Sequence, residues 1–369
     1  MANVTIAGPG GTVAAKIVMD SATNAQLAQN LLASTNADLA SGAITPFTVR
    51  STSGGVSAIV PAGQQVLFVP AAATVVVPAV SPQSVVLDFS GQSDVIVGGA
   101  SANQLVETGQ GGVTYTTNIG SGTIIAGGGN NIITTTTVAG GDHLILTGNG
   151  NDKILALTGD NTIGAGGGNN TITAGTGNNL VDVTGADTVY AGSGAATVDV
   201  TSGTAVVYGS SGQLSLLNAG GAATVFAGTD GAATVGGTAG STTLFGAASG
   251  DTLVAAGGSG TNNLLIGGAG SQTLVGGGTG HDTLTGGSGA DIFRFVDGQA
   301  GGALVVSDFT VGTDTISLSG YGTNPSIVTG LLNAATHPGG TSTQIVLGDN
   351  TTITLTGVTN LTSNSFKLS

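Results

Sequence analysis

Cysteine and tryptophan are absent from the 369-residue chain, and Lys and Arg together number five. Without cysteine no disulfide can staple the chain. An exported protein of this length then needs another cross-link, and bound metal is one. So little positive charge against 19 acids leaves a formal charge of −14. That charge repels phosphate backbones and argues against nucleic acid as a partner. No run of about 18 apolar residues occurs, so no transmembrane segment is expected. The apolar stretch 66–80 is broken by Pro70 and Pro78 and reads as strands and turns. The opening Met1-Ala2-Asn3-Val4-Thr5 has neither a basic region nor an apolar core, so no N-terminal signal peptide is expected. Glutamate is also missing, apart from Glu107; the other 18 acids are aspartate. Asp is a turn residue and a calcium ligand, whereas Glu mostly decorates helices. The acids therefore point to divalent cations.

What the chain does hold is glycine, 68 residues of it, and short β-branched runs such as Thr123-Ile124-Ile125 and Asn263-Leu264-Leu265-Ile266. Glycine does not recur every third residue, which excludes collagen. Hydrophobic residues make up 40% and charged ones 7%, the reverse of a disordered composition. Gly-rich turns between short strands predict an all-β fold.

Three regions follow from the pattern. Residues 1–90 predict a small α+β or all-β cap domain of unknown role. Within it Ser21 caps a helix over residues 22–40, with Leu27, Leu31 and Leu32 on one face and Gly42 as its stop. It is the one helix expected. Residues 91–295 repeat: Gly127-Gly128-Gly129-Asn130-Asn131-Ile132-Ile133-Thr134 is echoed from Gly166 and again from Gly175. Internal repetition of this kind predicts a parallel β-solenoid, because one short strand cannot bury its face alone while stacked coils bury a continuous column. Residues 296–369 leave the repeat and predict a C-terminal β cap over the open end.

The repeats are most regular over residues 246–295. Units start at Gly257, Gly267, Gly277 and Gly286. Gly277-Gly278-Thr279-Gly280-His281-Asp282-Thr283-Leu284-Thr285 and Gly286-Gly287-Ser288-Gly289-Ala290-Asp291-Ile292-Phe293-Arg294 both fit G-G-x-G-x-D-x-U-x, with U a large apolar residue. Each turn offers an aspartate and glycine carbonyls, and two stacked turns can surround a hard cation with oxygen. These units resemble the hemolysin-type (RTX) calcium-binding family. The stretch from Val306-Ser307-Asp308-Phe309 through Gly312-Thr313-Asp314-Thr315-Ile316-Ser317-Leu318 is similar to the segment that closes the β-roll of serralysin-type secreted proteins. The last residues, to Phe366-Lys367-Leu368-Ser369, are similar to their C-terminal secretion region. The resemblance implies calcium as cofactor, type I export to the cell exterior or surface, and folding on meeting calcium.

The expected metal ligands are Asp282, Asp291, Asp251 and Asp152, with Gly278, Gly280, Gly287 and Gly289 shaping the turns. Gln272, Asn262 and the Asn pairs depart from the motif, and their turns read as metal-poor. Asp308 and Asp314 read as structural turn residues, the Asn pairs as turn formers or at most an amide ladder, and His143, His281 and His337 as surface or turn residues. No H-E-x-x-H, G-x-S-x-G or phosphate loop occurs, so no enzyme is expected. The composition suits an extracellular structural protein of a surface layer, filament, biofilm matrix or adhesin. Its partners would be other copies of itself or cell-surface and matrix polysaccharide. A polysaccharide- or ice-binding solenoid is the alternative, with Thr171-Ile172-Thr173 as a candidate face.

Overall fold

A computed structural model describes residues 2–7, 13–19, 22–48, 57–59, 65–70, 73–77, 84–88, 92–98, 103–107, 111–117, 120–136, 141–229, 233–237, 239–247, 250–255, 260–299 and 301–369. The chain divides into two compact units, Met1–Tyr190 and Ala191–Ser369.

In the first unit the chain winds as a β-solenoid. Successive strands feed two sheets in turn: Lys153–Ala156 joins one, Thr162–Gly164 the other, Thr171–Thr173 the first again. Along the solenoid, strands of successive coils pair in parallel, as Lys153–Ala156 does with Thr171–Thr173. Period-2 alternation sends one face of each strand inward. Ile96, Tyr115, Ile133, Ile154, Ile172 and Val189 stack in register down one sheet, all buried. Leu105, Ile124, Ile145, Ile163 and Val181 do so down the other. Large-to-small changes in such columns cost about 2–5 kcal/mol, because neighbouring coils cannot collapse into the gap. A side chain as large as Tyr115 fits because the adjacent coil carries Gly98, where a Cβ would collide with the phenol oxygen.

The parallel ladder begins before residue 90. Phe47–Thr48 pairs with Val66–Val69, and Ser57–Ile59 with Thr74–Val76, in the same two sheets. The β-branched runs before residue 90 stack as well as those after it. The non-solenoid part is smaller. A two-stranded antiparallel sheet, Ala2–Ala7 with Val13–Met19, and two helices, Ala22–Leu31 and Ala33–Ser41, pack on the solenoid flank. The expected single helix breaks at Leu32, and Gly42 ends the second helix in the left-handed conformation (φ 76°). Ser21 lies outside the described residues. Small residues set the contact: Ala25, Ala28, Leu32 and Leu39 bury against Val66, Phe68, Val85 and Ile125, while Leu27 faces outward. That cover explains why Val66–Val69 is buried on both faces.

The second unit repeats the design. Val207, Val225, Leu244, Leu265, Leu284, Val306 and Leu355 form one inward column. Leu253, Leu274, Phe293 and Ile316 form another. The apolar residues of both nonapeptides, Leu284 and Phe293, therefore point inward as expected. Tyr208, Phe226 and Phe245 stack along one outer face, with ring centroids 5.1 and 4.9 Å apart. Residues 303–368 extend the parallel sheets, and one antiparallel strand, Thr343–Val346, covers Thr352–Leu355. The helix Ser326–Ala334 lies beside that strand and was not expected from sequence. Gly330 and its β-branched residues weaken the local helical signal, and burial of Val328 supports the helix instead. Among the described residues no helix is long and apolar enough to cross a membrane.

Candidate metal centre

The corners between strands are built from paired side chains with opposite jobs. At five corners of the first unit, 130–131, 151–152, 160–161, 169–170 and 178–179, two residues, each Asn or Asp, stand side by side. The second of each pair is buried, and its Oδ1 accepts a main-chain N–H from the preceding coil. Asn131 takes Val113 N–H at 2.9 Å, Asp152 takes Asn131 N–H at 2.7 Å, Asn170 takes Asp152 N–H at 2.8 Å, and Asp187 takes Asn170 N–H at 3.1 Å. On the opposite edge Asn161 takes His143 N–H and Asn179 takes Asn161 N–H, both at 3.1 Å. The first residue of each pair looks the other way and accepts from the following coil. Asn130 takes Asn151 N–H at 2.8 Å, Asn151 takes Asn169 N–H at 2.9 Å, and Asp160 takes Asn178 N–H at 2.7 Å. Each corner is thus tied forward and backward, which satisfies main-chain donors that the strands leave over.

The second unit follows the same rule. Thr242, Asn263 and Asp282 form one inner rung series, at 2.9 and 3.0 Å. Gln272, Asp291 and Asp314 form another, at 2.8 and 3.0 Å. Asp251 closes its own turn, with Oδ2 accepting Ala247 N–H at 3.0 Å. The glycines are set by coil stacking. Gly287 has φ 94°, and a Cβ there would run into the Gly268 carbonyl, just as one on Gly280 would run into that of Thr261. Gly278 and Gly289 also take positive φ, 80° and 135°.

Asp282 and Asp291 carry a mark of an absent partner. Asp282 is 2% exposed and Asp291 is 1% exposed. In each, Oδ1 is engaged while Oδ2 is buried with no hydrogen-bond partner. Burial pushes the carboxyl of Asp282 above the usual range, against the donors of Asn263, the nearby Gly277 amide, which completes no hydrogen bond to Oδ2, and the charge of His281. Burial likewise raises Asp291, opposed by the Gln272 amide and reinforced by Asp314 and Asp308. A buried anionic oxygen without a donor is costly. A hard cation relieves that cost, so these residues fit calcium.

The expected ligands are not brought to one point. Asp251 and Asp291 share an edge but have Gln272 between them, and Asp282 belongs to the other series. Among the described residues no three acidic or histidine side chains converge. Asp152 is a rung between Asn131 and Asn170, its Oδ1 also accepting Asn131 Nδ2 at 2.9 Å. Asp308 receives the amides of Gly286 and Gly287 at 2.8 and 2.7 Å, and Asp314 those of Asp291 and Thr310 at 3.0 and 2.8 Å, so both shape turns while lending negative field to Asp291. Sequence reading missed Asp187. It is buried, its Oδ2 has no partner, and burial raises its carboxyl, against the donors of Asn170 and Gly185 and with Asp152 adding to the rise. The signal was there: Gly185-Ala186-Asp187 spells the same as Gly289-Ala290-Asp291.

His143 was expected at the surface or in a turn; it stands at a corner, but it is buried and not at the surface. It occupies the inner-rung position that the next two coils give to Asn161 and Asn179, and it is 4% exposed. Neither ring nitrogen has a hydrogen-bond partner. Burial lowers its pKa, while Asp142 pulls it up. The unfolded chain takes up a proton near pH 6.5 that the folded chain refuses, so His143 removes stability as pH falls below about 6.5. His143→Asn is expected to flatten this part of the pH dependence. Urea unfolding of both proteins at pH 7.5 and 5.5 checks it, because the raised aspartates act with the opposite sign equally in both.

Comparison with protein families matches residues 146–181 and 266–299 to the RTX calcium-binding nonapeptide repeat, in four copies. The chain is therefore a β-solenoid protein with hemolysin-type RTX repeats. Repeats of this type bind calcium and are typical of secreted proteins. No curated protein matches the chain.

Proposed function

We propose that this calcium-binding solenoid is an extracellular structural protein, exported by a type I route and without enzymatic activity. It would serve as a component of a surface layer, filament, biofilm matrix or adhesin. The observation that carries the reading is the regularity of the coils: a side-chain oxygen accepting a main-chain N–H one coil back recurs along each unit, and the buried acids serve as rungs. Calcium at Asp282 and Asp291 would neutralise buried charge and lock the repeats of the second unit, which ties folding to the calcium-rich exterior. The apolar outer face with Tyr208, Phe226 and Phe245 suits contact between copies. Thr171 and Thr173 pair with Lys153 and Leu155 on the adjacent coil, so this threonine face is interrupted, and that weighs against an ice-binding surface.

Light scattering and electron microscopy of the purified chain test the proposal. Millimolar calcium is expected to drive assembly into sheets or filaments, and chelator to reverse it. Monomers that persist at every calcium concentration would refute self-assembly.

A further inference from the structure

The family match implies calcium for residues 146–181 as much as for 266–299. At its asparagine corners the chemistry of the first segment differs at one atom. A calcium ion in such a turn needs carboxylate oxygen and corner carbonyls around an open centre. At Asn161 the side-chain Nδ2 already donates to two corner carbonyls, Thr158 O at 3.1 Å and Gly159 O at 2.9 Å. The same Nδ2 also donates to Asn179 Oδ1 at 3.0 Å. Asn179 Nδ2 meets Gly177 O at 3.2 Å. Asn170 Nδ2 meets Ala165 O at 2.9 Å and Asp187 Oδ1 at 2.7 Å. Asn131, one coil before the segment, does the same, with Gly127 O and Gly129 O both at 3.2 Å.

We infer that these amides fill their own corners: the Nδ2 groups of Asn131, Asn161, Asn170 and Asn179 stand in the place of the cation, so these corners of the first unit take no calcium. An amide nitrogen offers two N–H groups to the oxygens that a metal would gather, and it carries no net charge to neutralise. Asp282 and Asp291 offer no such group, and their Oδ2 atoms stay unsatisfied. The residue after the glycines therefore decides whether a corner is closed by the chain itself or by an ion. Folding of the corners at Asn161 and Asn179 is then independent of calcium, whereas Asp187, whose Oδ2 is left unsatisfied like those of Asp282 and Asp291, belongs to the open kind. The contrast with the second unit rests on the calcium reading of Asp282 and Asp291; the inference about the first unit does not.

Hydrogen exchange on the full chain, with calcium and with chelator, tests this directly. Residues 158–163 and 176–181, around the Asn161 and Asn179 corners, are expected to keep their protection in chelator, while residues 264–299 lose theirs. Loss of protection in both segments would overturn the inference. A second arm converts closed corners into open ones. Asn161→Asp with Asn179→Asp removes both amides and leaves carboxylates facing the corner carbonyls. This variant is expected to become calcium-dependent, with Tm rising by about 5 °C or more when calcium is added. A variant that folds and stays indifferent to calcium would also overturn the inference. If the variant does not fold at any calcium concentration, the exchange pattern of the unaltered chain decides alone. If residues 264–299 ignore calcium while the variant responds, the reading of Asp282 and Asp291 fails and the inference stands.

Discussion

Asn170→Ala should destabilise the protein by about 2–4 kcal/mol, with or without calcium. The substitution strips one rung of three interactions. The Asp152 N–H loses its acceptor, the Ala165 carbonyl loses the Nδ2 donor, and Asp187 loses the side-chain donor that stands beside the Asn170 main-chain N–H. A buried main-chain group left without a partner costs roughly 1–3 kcal/mol, and two are exposed to that loss here. Asp187 is already a buried carboxylate with its pKa raised, so removing a donor deepens its penalty. Urea unfolding gives the number. A loss below about 0.5 kcal/mol, the size of an ordinary surface change, would mean that the corner rungs do not hold the coils together.

The second large effect belongs to Asp282→Asn combined with Asp291→Asn. Asparagine keeps an Oδ1 for the main-chain amides of Asn263 and Gln272, so the rungs survive. The negative charge and the unsatisfied Oδ2 disappear, and with them the reason to bind a cation. Calcium at about a hundred times its dissociation constant should stabilise the parent chain by about 2.7 kcal/mol for one site, and the double variant by nothing. Replacing the same pair with Ala should also abolish the response, but at lower stability in chelator, because the two amides then lose their acceptors. Thermal unfolding with and without calcium separates these cases. An undiminished calcium response in the Asn variant would place the binding elsewhere in the chain.

The contrast between these two experiments reflects what kind of information each site carries. The motif at Gly277 and Gly286 is short and local, so both aspartates and their turns were legible from nine residues each. The inward direction of Leu284 and Phe293 followed from the alternation of a strand. The solenoid itself followed from repetition, since no other packing lets runs of four or five apolar residues bury one face. Less legible were features that depend on what lies one coil away. Asp308 and Asp314 read as turn residues, which they are, but their influence on Asp291 comes from pairing across 23 residues. His143 looked like a surface or turn residue because nothing nearby in sequence reveals that Asn161 and Asn179 occupy the same inner position. The helix Ser326–Ala334 was hidden because its stability comes from packing rather than from its own composition.

The sequence by itself determined the glycine corners, the stacking of short apolar strands into coils, the preference for Asp over Glu and hence for a hard divalent cation in the closing repeats. These are local properties: backbone freedom at glycine, strand alternation, and ligand chemistry are written residue by residue. Only the tertiary structure decided which member of each Asn or Asp pair looks forward and which looks back, which carboxylates are left with a bare oxygen, and which amides close their own turn. Those outcomes depend on the register between coils some 18 to 21 residues apart. Only that register sets which donor each side chain meets.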